Sequence, residues 1–329
     1  MAENFRAATM QLPARIEGLA AARFPARPLH LAVGMFDGVH LGHRAVIDSA
    51  VQSARGDGGL AGVLTFWPHP SAVLRPDRAT PLLQGPDAKA AALLCLGVDA
   101  VITQGFDPTL AALAAGEFLP WLRRHLPGLV AVHVGENFRF GRGREGDVGS
   151  LVADGRRLGL HVFSTARVNL DGEPISSTAI RALLAAGEIA AANARLGSPY
   201  LASGRVAPGK RLGRTLGFPT LNLPWAPAAA PRFGVYATRV AAHGSADFHP
   251  AVANYGLRPT VEQASDPRLE VHVLGECPFG EGSEIAVEWL EFLRPERRFR
   301  DVAELSAQVD RDRAAAGSFF ARIAAARGR

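Results

Sequence analysis

At 329 residues the chain is too long for a single hydrophobic core and suits two domains. Hydrophobic content of 48% and charged content of 20% are those of a globular enzyme and exclude a disordered or fibrous chain. Two cysteines, Cys95 and Cys277, exclude a disulfide framework and point to a reducing cytoplasm. The net charge of +5 fits polyphosphate ligands and also weak nucleic-acid binding, yet no Lys/Arg block or aromatic-interleaved basic run stands out. No run of about 18 apolar residues is present, so no membrane span is expected. The first eleven residues lack the basic-then-apolar layout of a secretion signal.

The first strong element is an apolar run, Leu29 to Val33, which reads as a buried strand. The decapeptide Gly34-Met-Phe-Asp-Gly-Val-His-Leu-Gly-His43 follows, and a helix begins near Arg44. A glycine-bearing turn between strand and helix points backbone N–H groups outward at the positive end of the helix dipole, a ready phosphate site. His40 and His43 are three apart and share one side of the first turn, where imidazole donors suit charge developing on a phosphorus centre. Leu60 to Phe66 is a second strand, stopped by Pro68-His69-Pro70.

Asp87 to Leu96 reads as helix, Val98 to Thr103 as strand, Thr109 to His125 as one long helix, and Leu129 to Gly135 as strand. Gly149 to Leu158 is helical, and Leu160 to Thr165 is a fifth strand. Strands alternating with helices predict right-handed βαβ units around a parallel sheet, with ligands outside the carboxyl ends of the strands. The loop from Val134 to Gly146 alternates Phe138 and Phe140 with Arg139, Arg142 and Arg144, and can close over a phosphate or a planar ring. Ser176, Ser177 and Thr178 open a helix and Arg181 follows on its first turn; the three hydroxyls read as a helix cap or as a polyphosphate contact.

From Tyr200 the pattern changes to six short strands: Tyr200 to Val206, Gly217 to Leu223, Gly234 to Ala241, Phe248 to Asn254, Leu269 to Leu274 and Glu284 to Phe292. Such spacing predicts an antiparallel barrel, onto which a helix from Asp301 to Ala326 packs. Gly209 to Gly217 carries Lys210, Arg211, Gly213 and Arg214 and can wrap a phosphate, although its spacing is not that of a P-loop. Thr220 and Asn222, two apart on a strand, share a face and can offer oxygens to a hard cation such as Mg²⁺. Glu270, placed on the inner side of the barrel mouth, can take a proton from a hydroxyl. Thr220 and Asn222 also have a plain structural reading as a polar pair at a strand end, and Glu270 as an outward-facing solvated carboxylate.

Eight ordered motifs make the chain resemble the bacterial bifunctional riboflavin kinase/FMN adenylyltransferase (FAD synthetase) family. They are GMFDGVHLGH (34–43), PHP (68–70), GENFRFG (135–141), ISSTAIR (175–181), GRTLGFPTLN (213–222), GVYA (234–237), NYGLRPT (254–260) and FLRPERRF (292–299). The resemblance implies an α/β, doubly wound parallel-sheet nucleotidyltransferase domain over 1–186 and a Greek-key-like β-barrel kinase domain with a terminal helix over 187–329. Riboflavin would be phosphorylated to FMN by Mg-ATP in the second domain, and FMN adenylylated to FAD in the first.

It further implies that His40 and His43 are catalytic, with Gly34, Phe36, Asp37, Asn137, Ser177, Thr178 and Arg181 around ATP, and Pro68, His69, Phe138 and Arg139 against the flavin. In the second domain it implies Glu270 as base, Gly213, Arg214 and Gly217 around phosphate, and Thr220 and Asn222 at the metal. Leu221, Trp67, Tyr255 and the loop Gly275 to Gly282 depart from the family pattern. The partners expected are small-molecule substrates alone, with no nucleic acid or membrane, in a cytoplasmic monomer or weak homo-oligomer. Two other readings are a one-domain adenylyltransferase acting on a different phosphate, such as a pantetheine or nicotinamide mononucleotide, and a flavin-sensing regulatory or RNA-contacting protein with weak catalysis.

Overall fold

The structure, a computed structural model, describes residues 11–209, 217–257 and 267–327. It divides into two compact units, Met1–Ser177 and Thr178–Arg329.

The first unit is built on six parallel strands: β1 (Ala14–Glu17), β2 (Leu29–Val33), β3 (Leu60–Trp67), β4 (Ala100–Gly105), β5 (Leu129–Gly135) and β6 (His161–Thr165), in the order β1-β4-β3-β2-β5-β6. Every residue of β2 is buried, as a parallel strand covered on both faces requires. Helix α1 (Leu41–Gly56) lays Val46, Ile47, Ala50, Val51 and Ala54 on the sheet as a single apolar stripe. From β2 the chain winds outward through β3 to β4, then returns to place β5 on the other side of β2. The switch point therefore falls between β2 and β5, and a ligand crevice opens beyond their carboxyl ends.

The helix predicted over Thr109 to His125 is two helices, α4 (Pro108–Ala111) and α5 (Ala115–His125). The second start is stabilised by carboxylates: Glu117 accepts the Ala114 N–H at 3.2 Å, and Glu145, from a distant loop, accepts the Ala115 N–H at 2.9 Å. Three further elements of this unit were not anticipated. They are the edge strand β1, the short helix α2 (Pro70–Leu74), and a hairpin of β7 (Asn169–Leu170) with β8 (Glu173–Pro174). Helices α3 (Pro86–Leu94) and α6 (Val148–Leu158) lie where periodicity placed them, within one to three residues.

The second unit takes in α7 (Ser177–Ala186) from Thr178 onward, then α8 (Ile189–Leu196), and continues into an antiparallel sheet. Its strands are β9 (Tyr200–Arg205), β10 (Leu221–Pro224), β11 (Gly234–Ala242), β12 (His249–Gly256), β13 (Arg268–Val273) and β14 (Glu284–Pro295), in the order β10-β13-β12-β11-β14-β9. Within this order β14-β11-β12-β13 is a Greek key, since the fourth strand returns beside the first. A bridge between Ala207 and Asn222, with the Ala207 N–H donated to the Asn222 carbonyl at 2.8 Å, nearly closes the sheet into a barrel. Trp289, Tyr236 and Tyr255 fill its interior. The terminal helix (Val302–Arg327) packs Ala316 and Phe319 on Val235, Ala237 and Val252, and Arg294 clamps it with a bidentate pair to Asp312 at 2.8 and 2.7 Å.

Candidate active sites

In the first unit the turn after β2 is held in an unusual backbone path. Phe36 (φ 49°), Gly38 (φ 86°) and Val39 (φ 45°) all adopt positive φ, rare for a β-branched or bulky residue. The Phe36 ring folds back over Gly34, where a Cβ would lie 2.9 Å from the ring, so a side chain at 34 would displace that ring. Asp37 is buried and braces the turn: its carboxylate accepts the Leu83 N–H at 2.9 Å, and its carbonyl accepts the Ser177 hydroxyl at 2.9 Å.

His40 is the N-cap of α1, and its Nδ1 accepts the His43 N–H at 3.3 Å. With Nδ1 accepting, the neutral ring carries its proton on Nε2 and is a donor there. The His40 and His43 rings stack with centroids 3.5 Å apart at 17°, and Phe36 meets His43 edge-on at 5.4 Å. Burial holds His40 down to about 4. Burial, reinforced by His40 and Lys89, holds His43 well below the ordinary imidazole value. Both rings are uncharged at neutral pH.

Two cavities flank this turn. One, of about 220 Å³, is lined by Gly34, Phe36, His40, His43 and Asn137 among others, and Ile175. The other, of about 580 Å³, is walled by Phe66, His69, Phe106, Phe138, Arg139 and Phe140 among others. They share Gly34, Met35, Asn137 and Phe138, so one thin wall separates a small cavity beside two imidazoles from a larger aromatic one. Of the residues expected around phosphate or flavin, Asp37 supports the turn from below, and Pro68 is not part of the larger cavity's wall, whereas His69 is. His69 also caps α2, accepting the Ser71 N–H at 3.1 Å. Arg139 pairs with Asp147 at 3.6 Å. Thr178 and Arg181 belong to the second unit, on the first turn of α7, where Arg181 donates to Thr178 Oγ1 at 3.2 Å.

Sequence reasoning did not single out Lys89, on α3. Its ammonium is buried and donates to the Met35 carbonyl at 3.1 Å, Thr65 Oγ1 at 2.9 Å and the Phe66 carbonyl at 3.4 Å. A lysine beside Ala90 and Leu93, on the buried side of a helix, was the available signal.

In the second unit Glu270 pairs in register with Asn222 on one side and Asn254 on the other, so three polar side chains cross β10, β13 and β12 in a row. Glu270 is not on the inner side of the barrel. Its neighbours Leu269 and Val271 face Tyr255 and the aromatic interior, and strand alternation puts Glu270, Asn222 and Asn254 on the outer face. Thr220 lies just before β10 rather than on it, and Leu221 points inward, as expected for a tolerated substitution. His272, on the same face, donates from Nδ1 to the Pro219 carbonyl at 2.9 Å and fixes the backbone entering Thr220. Asn254 donates to Glu296 at 3.4 Å, and burial, with Glu270 nearby, pushes the Glu296 carboxyl up. Gly217 has φ 83°, while Gly213 and Arg214 lie outside the described residues.

Among the described residues no group of three or more His, Cys, Asp or Glu can hold a metal. The Thr220 and Asn222 oxygens are neutral, and the backbone at Gly209 approaches the Asn222 amide so closely that any Cβ would collide with it. A neutral pair beside a close-approaching backbone suits Mg²⁺, which keeps its waters and arrives on substrate phosphates, better than a caged resident ion.

A parallel-sheet unit with a histidine pair at a helix N-terminus, joined to an antiparallel barrel with a Thr/Asn/Glu face, defines a two-domain phosphoryl- and nucleotidyl-transferring protein. A family model described as FAD synthetase matches residues 25–179, and one described as riboflavin kinase matches residues 196–320. The chain is 40% identical over 291 residues to the bifunctional riboflavin kinase/FMN adenylyltransferase of Escherichia coli K12, covering 88% of this chain and 92% of that one. It is 36% identical to the protein of the same name from Listeria monocytogenes and 32% to that from Bacillus subtilis, each covering 89% of this chain and 93% of the relative.

The chain belongs to the bifunctional riboflavin kinase/FMN adenylyltransferase family. A crystal structure from Streptococcus pneumoniae called a macrolide-efflux protein is similar in fold, with TM-score 0.81 and 26% identity, covering 91% of this chain and 96% of that one. Among the described residues no helix is long and apolar enough to cross a membrane.

Proposed function

We propose that the chain makes FAD in two steps, phosphorylating riboflavin to FMN on the barrel and adenylylating FMN to FAD on the parallel sheet. The observation that carries the second step is the stacked His40/His43 pair at the α1 N-terminus, with a small cavity beside it and an aromatic cavity one wall away. The ATP phosphates lie against the turn and the histidines, and the flavin lies among His69, Phe138 and Arg139. An FMN phosphate oxygen attacks the α-phosphorus, the bond to the β-phosphate breaks, and pyrophosphate leaves. The nucleophile is already an anion, so this step needs alignment and charge stabilisation rather than a base. His40 Nε2–H donates to the charge that builds on the phosphoryl oxygens, and Asn137 and Ser177 add phosphate contacts from the same unit.

The kinase step differs because its nucleophile is a neutral alcohol. Glu270 takes the proton of the ribityl 5′-hydroxyl as its oxygen bonds the γ-phosphorus and ADP leaves. Thr220 and Asn222 would hold Mg²⁺, which would neutralise phosphate charge, and Gly213, Arg214 and Gly217 are the residues proposed to contact phosphate. We place the enzyme in the cytoplasm as a monomer or weak homo-oligomer whose partners are its small-molecule substrates; both cysteines are free thiols. The test is to incubate pure protein with riboflavin and Mg-ATP and separate the flavins. FMN and FAD both form. A sample yielding neither overturns the reading, and one yielding FMN alone leaves only the kinase.

A further inference from the structure

Lys89 is a buried cation to which the reaction above gives no role. Its three ammonium protons meet three acceptors: the Met35 carbonyl, Thr65 Oγ1 and the Phe66 carbonyl. Thr65 spends its own hydroxyl proton on the Met35 carbonyl at 3.0 Å, so it can only accept from Lys89. Every neighbour accepts and none donates, which suits the charged amine: a neutral amine has protons for only two of the three oxygens and would turn its lone pair on the third. Met35 lies in the wall shared by the two cavities, between Gly34, covered by the Phe36 ring, and Phe36 itself, at positive φ. Helix α3 thus reaches through one side chain to the segment that separates the two substrates.

We propose that Lys89 is a positioning residue of the FMN adenylyltransferase site, its ammonium holding the Met35 carbonyl and so the wall between the ATP and FMN cavities in register with His40 and His43. This rests on the reading of that site given above. Lys89 touches neither substrate; it acts through the backbone of the turn. It also supplies fixed positive charge beneath a pair of uncharged imidazoles. Asp37 from the turn and His43 from α1 are the charged or titratable groups that face it, while β3 offers only Thr65 and the Phe66 carbonyl. Burial lowers the amine to about 8, partly opposed by Asp37. His43 stays neutral throughout that range, and phosphate second ionisations near 6 fall below it. Raising pH through about 8 discharges Lys89, releases Met35, and costs activity.

The experiment measures kcat/KM for FAD formation from FMN and Mg-ATP against pH in the full-length protein, since this parameter reports ionisations of the free enzyme. Lys89→Met is compared with wild type and with Thr65→Val, which removes one acceptor of the ammonium. Riboflavin phosphorylation by the same samples is the control. Wild type shows an alkaline limb near pH 8. Lys89→Met loses about tenfold or more at pH 7, in kcat more than in KM, because a misplaced wall misaligns bound reactants. Its alkaline limb is gone, that of Thr65→Val moves to lower pH, and all three proteins phosphorylate riboflavin equally. Wild-type kcat/KM with the limb intact in Lys89→Met overturns the proposal. Should that variant not fold, an unmoved limb in Thr65→Val overturns it instead. A wild-type protein that makes no FAD from supplied FMN refutes the adenylyltransferase reading itself.

Discussion

His40 divides its two ring nitrogens between tasks: Nδ1 caps α1 by accepting the His43 N–H, leaving Nε2 as the donor of a ring that lines the small cavity. His43 stacks on it and takes its orientation from the same turn. His43→Ala therefore removes a donor without unmaking the cap, and FAD formation from FMN falls by at least about 10²-fold while FMN formation from riboflavin persists. Glu270→Ala does the reverse, slowing FMN formation by about 10²-fold or more while supplied FMN still yields FAD; Asn222→Ala has the same direction. Separating the flavins after each reaction checks both, and equal loss of both activities in one variant contradicts separate sites. The histidine pair was legible because short spacing fixes which side chains share a face, whereas the strand rule did not place Thr220, which lies before β10. Lys89 was not legible, because its role depends on a carbonyl 54 residues away. Glu270 was recognised as polar within an apolar strand, but the sign of the alternation, inward or outward, became readable only from Tyr255 and Leu269.

Elements whose signal is internal were read well; those built from distant contacts were not. Strands β2 and β5 are mostly apolar, each with one histidine, and have the predicted limits. The break between α4 and α5 depends on Glu145, and β1 exists because β4 pairs with it, so neither carries a local signature. The β7–β8 hairpin is an exception: Asp171-Gly172, at φ 53° and 80°, is the Asp-Gly turn typical of a two-residue connection.

Gly141 (φ 74°) lies against Ala115, where a Cβ would come within 2.7 Å of the backbone. Gly141→Ala costs roughly 1–3 kcal/mol from backbone strain alone, and FAD formation becomes heat-labile before FMN formation does, as residual activities after graded heating will show. Across β5 and α1, His133 hydrogen-bonds Ser49 at 2.9 Å and stacks on Phe163 at 4.6 Å, with burial holding its pKa down to about 4. The unfolded chain binds a proton near 6.5 that the folded ring refuses, so this stability is present above about 6.5 and drains away as pH falls toward 4. The urea midpoint of the N-terminal transition drops on acidification, by on the order of 2–3 kcal/mol of stability per such ring, and His133→Gln flattens that dependence.

For the whole molecule, two units with separate signatures imply two activities that survive apart. A mixture of the His43→Ala and Glu270→Ala proteins converts riboflavin to FAD after a lag, because FMN released by the first is taken up by the second. A mixture that stops at FMN would mean the intermediate does not exchange. Two-domain organisation was visible from the change in strand spacing near Tyr200, since period and turn content are local properties. The barrel's near-closure was not, because it depends on Ala207 meeting Asn222. That bridge joins mechanics to chemistry: the residue whose carbonyl fastens the seam is the one proposed to offer its amide oxygen to Mg²⁺. On that proposal the Ala207 backbone proton reports nucleotide occupancy. Its exchange into deuterated solvent slows when Mg-ATP loads the kinase face, whatever flavin is present.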